Sequence, residues 1–334
     1  MPGVGIPPTK ERMPEMSPDN VLEAVDLTKK FGNLTAVDHV SFTVKAGRLV
    51  GFVGPNGAGK TTTLKMILGL LSPDEGRVFR FGREADCRDL ETLARIGYVP
   101  DVPSFPAWMR PLEFLEYIGG FFSRDGEAVK KRARVMMEEF GLERLAGRKV
   151  EGFSRGEKQR LGMAQAMMGE PELLVLDEPT SGLDPLGRYE VITYMERMKG
   201  KAALIVSTHL LDDVERLCDD VLMIDRGRKI LDAPLEEIKS RREGGALTVE
   251  VAEGAESLAE SLRAKPWVKA AAVSGNVLSL LVADTSVAGK AIPVLVAERG
   301  LELLRYEGRP PSLEELYISL TRGEEVEKPA REGT

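Results

Sequence analysis

Nine consecutive residues, Gly54-Pro55-Asn56-Gly57-Ala58-Gly59-Lys60-Thr61-Thr62, have the composition of an anion-binding loop. Glycines at this spacing let a short turn aim successive backbone N–H groups at one point, at the start of a helix whose dipole favours negative charge. Lys60 can reach the β- and γ-phosphates of a nucleotide, and the Thr61 hydroxyl can ligate Mg2+. A second cluster, Leu173-Leu174-Val175-Leu176-Asp177-Glu178, ends an apolar strand in two adjacent carboxylates. Such a pair suits metal-assisted hydrolysis, with Asp177 holding the ion directly or through water and Glu178 orienting and deprotonating the attacking water. These residues predict nucleotide hydrolysis without choosing among kinases, GTPases, motors and transport ATPases.

Both clusters need strands to carry them. Short apolar runs predict strands over 40–44, 49–53, 96–99, 173–176, 203–206 and 221–224, alternating with helical stretches in the manner of an α/β domain over 20–242. The phosphate-type loop falls between the strand over 49–53 and a helix beginning near Lys60. Between Val99 and Ser154 such runs stop, which predicts an inserted helical subdomain over about residues 102–170. Within it Phe114, Tyr117, Ile118, Phe121 and Phe122 recur at helical spacing and predict one apolar face. That face is either core or the edge of a groove for a partner's helix. After a helix over 235–242, Glu243-Gly244-Gly245 reads as a linker. A small α+β domain over 246–322 follows, with strands over 247–251, 277–282 and 302–306 and helices over 257–264, 287–299 and 312–320. Residues 1–19 carry five prolines and no apolar signal core, so they read as a disordered leader, with Met13 or Met16 an alternative start. The charged residues 323–334 read as a disordered tail.

The chain has 334 residues, 43% of them apolar, and a formal net charge of -7 from 53 acidic and 46 basic residues. That balance argues against gripping a nucleic-acid backbone, and no nucleic-acid partner is expected. Two cysteines, Cys87 and Cys218, and two histidines, His39 and His209, lack zinc-site spacing. Both thiols are expected to be free and buried in a reducing cytoplasm, and His39 to be an ordinary turn residue entering a strand. No run approaches the roughly 20 apolar residues that span a bilayer. The chain alone cannot form a path across a membrane.

Phe153-Ser154-Arg155-Gly156-Glu157-Lys158-Gln159-Arg160 precedes the acidic strand, Ser181-Gly182-Leu183-Asp184 follows it, and Ser207-Thr208-His209 ends a later strand. In this order, over roughly residues 20–240, the chain resembles the ABC ATPases, and the three segments look like the signature loop, the D-loop and the switch histidine. The resemblance implies a P-loop NTPase with a RecA-like core, an antiparallel β subdomain and the helical insertion, using ATP and Mg2+. It implies that Ser154 and the Gly156 amide meet the γ-phosphate held by a second copy, and that His209 contacts that phosphate and positions the water of Glu178. Asp184 would then lie at the dimer seam, and Phe31 would stack on adenine unless it is a core residue. A homodimer on the cytoplasmic face of the membrane, beneath a separate transmembrane permease, would close on ATP and reopen on hydrolysis.

Three positions depart from the family's usual pattern. Arg155 stands where glycine is usual, a position at which a basic residue is familiar in bacterial exporter branches, and Glu157 where glutamine is usual. Asp101 stands where a glutamine usually touches Mg2+; a carboxylate there can ligate Mg2+, act as a different sensor, or be a turn residue. A second carboxylate at Glu157 repels a triphosphate unless it points away or pairs with a cation. The C-terminal domain, with Pro311-Ser312-Leu313-Glu314-Glu315-Leu316-Tyr317, resembles the accessory domain of exporter ATPases and favours export. Ribosome-acting ABC proteins usually carry two cassettes, chromosome-type ones carry long coiled coils, and GTPases carry an Asn-Lys-x-Asp motif; none of these is present.

Overall fold

The computed structural model describes residues 19–85, 89–240, 245–309, 312–314, 316, 317 and 320. The leader up to residue 18, Cys87, residues 243 and 244 of the expected linker, and the tail over 323–334 lie outside them.

The chain begins β1 (Asn20–Phe31), β2 (Leu34–Lys45), β3 (Leu49–Val53) and α1 (Lys60–Ile67). It continues β4 (Glu75–Arg80), β5 (Arg83–Glu84), the single turn α2 (Leu90–Leu93) and β6 (Ile96–Val99). Three helices, α3 (Pro111–Gly119), α4 (Gly126–Glu139) and α5 (Arg155–Ala166), precede β7 (Leu173–Asp177). Then come α6 (Pro185–Met198), β8 (Ala203–Thr208), α7 (Leu211–Leu217), β9 (Asp220–Asp225), β10 (Arg228–Pro234) and α8 (Leu235–Ser240). The last elements are β11 (Gly245–Val251), α9 (Ala255–Arg263), β12 (Val268–Ser274), β13 (Val277–Val282), α10 (Thr285–Glu298) and β14 (Leu303–Arg309). This is the expected α/β fold with an antiparallel subdomain, a helical insertion and a C-terminal α+β part.

The described residues fall into two compact units, one within Met1–Arg48, Thr61–Asp177 and Arg197–Ile205 and the other within Leu49–Lys60, Glu178–Glu196 and Val206–Thr334. In the first, β2-β1-β4-β5 form an antiparallel sheet, and β6 pairs in parallel with β7. All five residues of β7 are buried, as in a strand covered on both faces. Gly97 in β6 lies under the end of α5; a Cβ there would sit 2.6 Å from the Ala166 carbonyl oxygen. In the second unit β3, fully buried, runs parallel to β9, which pairs antiparallel with β10.

The C-terminal sheet, in the order β12-β13-β11-β14, is antiparallel throughout. Alternation places Leu247, Val249 and Val251 of β11 and Leu278, Leu280 and Val282 of β13 on one buried face. Against it pack Leu258 and Leu262 of α9 and Ala288, Ile292 and Val296 of α10, the last three at i, i+4, i+8. Strand β12 is absent from the sequence expectation because its Val-Lys-Ala-Ala-Ala-Val-Ser has few strand formers. It forms because β13 pairs with it along its length.

Two expectations are corrected. The aromatic stripe is not one core face: α3 ends at Gly119, with Gly120 as its C-cap, so Phe121 and Phe122 leave the helix. Phe114 is buried, whereas Tyr117 is 57% and Phe121 71% exposed and their rings meet edge-to-face at 5.3 Å. His39 is not in an entry turn but inside β2, at a register shift where three residue steps oppose two on β1, with φ 54°. Its N–H donates to Thr28 Oγ1 at 3.2 Å.

Candidate active site

The loop after β3 turns where only small residues fit. A Cβ on Gly54 would lie 2.3 Å from the Ile224 carbonyl oxygen, so this position admits no side chain without moving β9. Gly57 and Gly59 have φ of 83° and 103°, the left-handed region open to glycine. Ala58 is buried and holds the turn, its N–H donating to the Pro55 oxygen and its oxygen accepting from Gly227. Pro55, Asn56 and Gly57 are exposed at the tip. Lys60 opens α1, is only 6% exposed, and donates from Nζ to the Gly54 oxygen at 2.7 Å and the Pro55 oxygen at 3.3 Å. Thr61 is exposed and Thr62 half-buried in the first turn.

Thr61 Oγ1 donates to Asp177 Oδ2 at 2.9 Å, so the hydroxyl and the buried carboxylate at the end of β7 meet as adjacent oxygens. Among the described residues no group of three or more His, Cys, Asp or Glu could enclose a metal. The site therefore offers two hard oxygens and not a cage. That donor set fits Mg2+, which takes one or two protein oxygens and completes its octahedron from phosphate and water.

Glu178 follows directly on β7. Its φ of 48° is a left-handed conformation that costs a non-glycine residue about 1 kcal/mol or more. It is held there by Ser207, whose backbone oxygen and Oγ both accept from the Glu178 N–H, at 3.1 and 3.0 Å. The carboxylate is thereby set between two cationic or donor groups: Lys60 Nζ lies 3.0 Å from Oε1, and His209 Nδ1 lies 2.8 Å from Oε2. A carboxylate only accepts, so the proton in the latter bond is on Nδ1. Oε1 is buried and has no aligned hydrogen-bond donor, the Lys60 contact being electrostatic. It is an acceptor with a lone pair to spare.

Ser154 is the N-cap of α5 and is exposed, with Gly156 half-buried in the first turn. Ser154 Oγ accepts from the Glu157 N–H while Glu157 accepts from the Ser154 N–H at 2.8 Å, a reciprocal capping box. Glu157 also pairs with Arg148 at 3.2 Å, so its charge is turned back on the helix and compensated. The Asp101 carboxylate accepts from Arg155 Nη2 at 2.8 Å. Burial, then the Asp177 and Asp101 charges, push the neighbouring Tyr98 phenol up to about 12. Asp184 is exposed and caps α6, its Oδ1 accepting from the Gly187 N–H at 3.1 Å. Phe31 is 50% exposed at the end of β1, with Lys29 Nζ 5.8 Å from its ring centre, so it is not a core residue.

The structure adds groups that the motifs did not reveal. Buried Asp213 of α7 accepts from Thr180 Oγ1 at 3.1 Å and from Arg188 Nη2 at 2.7 Å, bracing the segment after Glu178 against the helix that follows His209. A cleft of about 410 Å³ is lined by Val53, Gly54, Pro55, Asn56, His209 and Leu211, and also by Glu314 and Tyr317 from the C-terminal segment. Leu313, fully buried, donates from its N–H to Glu215 of α7. The Tyr317 phenol is raised by burial first and then by Asp225, to which it is hydrogen-bonded. Nothing in the spacing of residues 312–317 marks them as neighbours of His209.

Comparisons with known proteins identify the family. The family model described as ABC transporter matches residues 37–181. The ABC transporter ATP-binding protein YxlF of Bacillus subtilis is 36% identical over 300 residues, covering 90% of this chain and 99% of the relative. A Nod factor export ATP-binding protein I of Burkholderia lata is 37% identical over 300 residues, covering 89% and 95%. Among solved structures, cbiO1 of Clostridium perfringens, part of the ABC transporter complex cbiONQ, superimposes with a TM-score of 0.61 at 26% identity, over 67% of this chain and 92% of that one. The dimeric post-hydrolysis cassette MJ0796, bound to ADP and Pi, gives 0.58 at 27% identity, over 64% and 98%. With its relatives matched almost end to end, this chain belongs to the ABC transporter family, as an ATP-binding subunit that hydrolyses ATP.

Proposed function

We propose that the chain powers export through a separate membrane permease, with two copies closing around ATP and reopening after hydrolysis. The observation that carries the chemistry is the Glu178 carboxylate, fixed between Lys60 and His209 with one buried oxygen lacking a hydrogen-bond donor. Glu178 is the general base: Oε1 takes a proton from the attacking water, and His209, bonded to Oε2, holds the carboxylate in line and faces the γ-phosphate. The backbone amides of the Gly54–Lys60 loop and Lys60 bind the β- and γ-phosphates, and half-exposed Phe31 stacks on adenine. Ser154 and the Gly156 amide, at the N-terminus of α5, meet the γ-phosphate bound by the second copy, and Asp184 lies along that seam.

Thr61 and Asp177 would hold Mg2+, which when bound neutralises charge developing on the phosphate oxygens. Asp101, which pairs with Arg155, is not assigned to that shell. Asp177→Asn should therefore raise the Mg2+ concentration giving half-maximal hydrolysis by about tenfold or more, the loss of a charged ligand being worth at least about 1.5 kcal/mol. Asp101→Asn should leave that concentration unchanged; a parallel rise would return Asp101 to the metal.

Export is supported by the relative named for Nod factor export, matched over 89% of this chain, and by the C-terminal α+β part. Among the described residues no helix is long and apolar enough to cross a membrane. The exposed Tyr117 and Phe121 are suited to cover a partner's helix. A tagged copy of the chain should capture a polytopic membrane protein encoded beside its gene from detergent-solubilised membranes. Recovery of the chain alone, with that protein expressed, would count against the transport reading.

A further inference from the structure

Two of this chain's departures from the family pattern, 54 residues apart, bond to each other: Arg155 Nη2 donates to Asp101 Oδ1 at 2.8 Å. The usual glutamine and glycine at these positions carry no charge, and glycine has no side chain to make such a contact. The other charges nearby do not account for the pairing. Glu157, two residues along α5, is committed to the Ser154 N–H and to Arg148, so the carboxylate that holds Arg155 is Asp101. A second contact fixes the same loop on the same helix. Gly162 packs against Val99 and Pro103, where an added Cβ would lie 3.1 Å from Val99 Cγ1 and 3.3 Å from Pro103 Cγ. Positions 155 and 162 are seven residues apart, two turns along one face and about 10 Å in rise. The apolar contact sets how closely the loop after β6 approaches α5; the ion pair sets the loop's register at the helix's first turn.

We propose that Asp101 is a positioning residue: through Arg155 it fixes the first turn of α5, and with it Ser154 and the Gly156 amide, relative to the loop leaving β6. The carboxylate that replaces the usual glutamine at position 101 is compensated by the basic side chain at position 155. The inference rests on the reading of Ser154 and Gly156 as phosphate-binding. Both side chains are nearly half exposed, at 47% and 44%, and an exposed pair adds little to global stability. Its effect belongs in turnover and not in melting temperature.

The test is a mutant cycle in the full chain, reading kcat/KM for ATP, Mg2+ dependence and Tm. Asp101→Gln and Arg155→Gly should each lower kcat/KM about three- to fivefold, the factor expected for coupling between neighbouring charged groups. Neither should shift the Mg2+ dependence or Tm appreciably. The double variant D101Q/R155G should recover to within about twofold of the parent. A double variant carrying the product of the two single losses would overturn the proposal, as would a raised Mg2+ requirement in Asp101→Gln. Ser154→Ala separates the two readings. If it retains the parent's kcat/KM, the phosphate-binding role of this loop fails and the inference with it; if it is impaired while the double variant is not rescued, only the inference fails.

Discussion

Glu178→Gln should bind ATP and hold it, with turnover falling by about 10²- to 10⁴-fold, the range lost when a positioned general base is removed. The amide is nearly the same shape as the carboxylate. It can still accept from His209 Nδ1, which lies 2.8 Å from Oε2. What it cannot do is take a proton. The backbone at residue 178 is held by two bonds to Ser207, independently of the side chain, so the substitution leaves the left-handed turn in place. ATP should therefore drive a stable dimer, visible by light scattering as a doubling of mass that ADP does not produce. Rapid turnover persisting in this variant would remove Glu178 from the chemistry.

Lys60→Ala should have the second largest effect, on binding itself. Lys60 Nζ is satisfied by the loop's own Gly54 and Pro55 carbonyls and by the Glu178 carboxylate, and it is only 6% exposed. It is thus held where phosphate would arrive. A charged hydrogen bond of this kind contributes about 1.5–3 kcal/mol, so Kd for ATP should rise about 10- to 150-fold. ADP binding should weaken with it, because the β-phosphate loses the same partner. Equilibrium dialysis distinguishes the two variants: Glu178→Gln keeps nucleotide, Lys60→Ala releases it. Equal Kd values for Lys60→Ala and the parent would contradict the role given to Lys60.

What the sequence revealed was what lies contiguous in it. The apolar run over 49–53 does end at Val53, the helix does open at Lys60, and the acidic strand does end at Asp177. Each is set by local rules: a buried strand, glycines with positive φ, a helix start. The rest depends on which segments tertiary packing brings together. Asp101 and Arg155 meet because α5 lies on β6 over Gly97, a contact no spacing rule encodes. The stripe from Phe114 to Phe122 fails as a core face because Gly119 and Gly120 end the helix before its period is complete. Strand β12 is invisible in an alanine-rich stretch because its stability comes from its neighbour. Glu157 could be weighed only once its reciprocal cap and Arg148 were seen.

The C-terminal segment limits how modular this chain can be. By composition, the place to divide it is the glycine-containing stretch near residue 243. Yet Leu313 is bonded to Glu215, Tyr317 to Asp225, and Glu314 and Tyr317 share a cleft with His209. The stretch around Leu313 and Tyr317 thus returns to α7 and β9. A chimera joined at the linker would bring a foreign partner to Glu215 and Asp225, so recombination between relatives preserves this site only if both sides of the contact travel together. The unit of inheritance is the closed circuit from α7 to Tyr317, and not the globule that follows the linker.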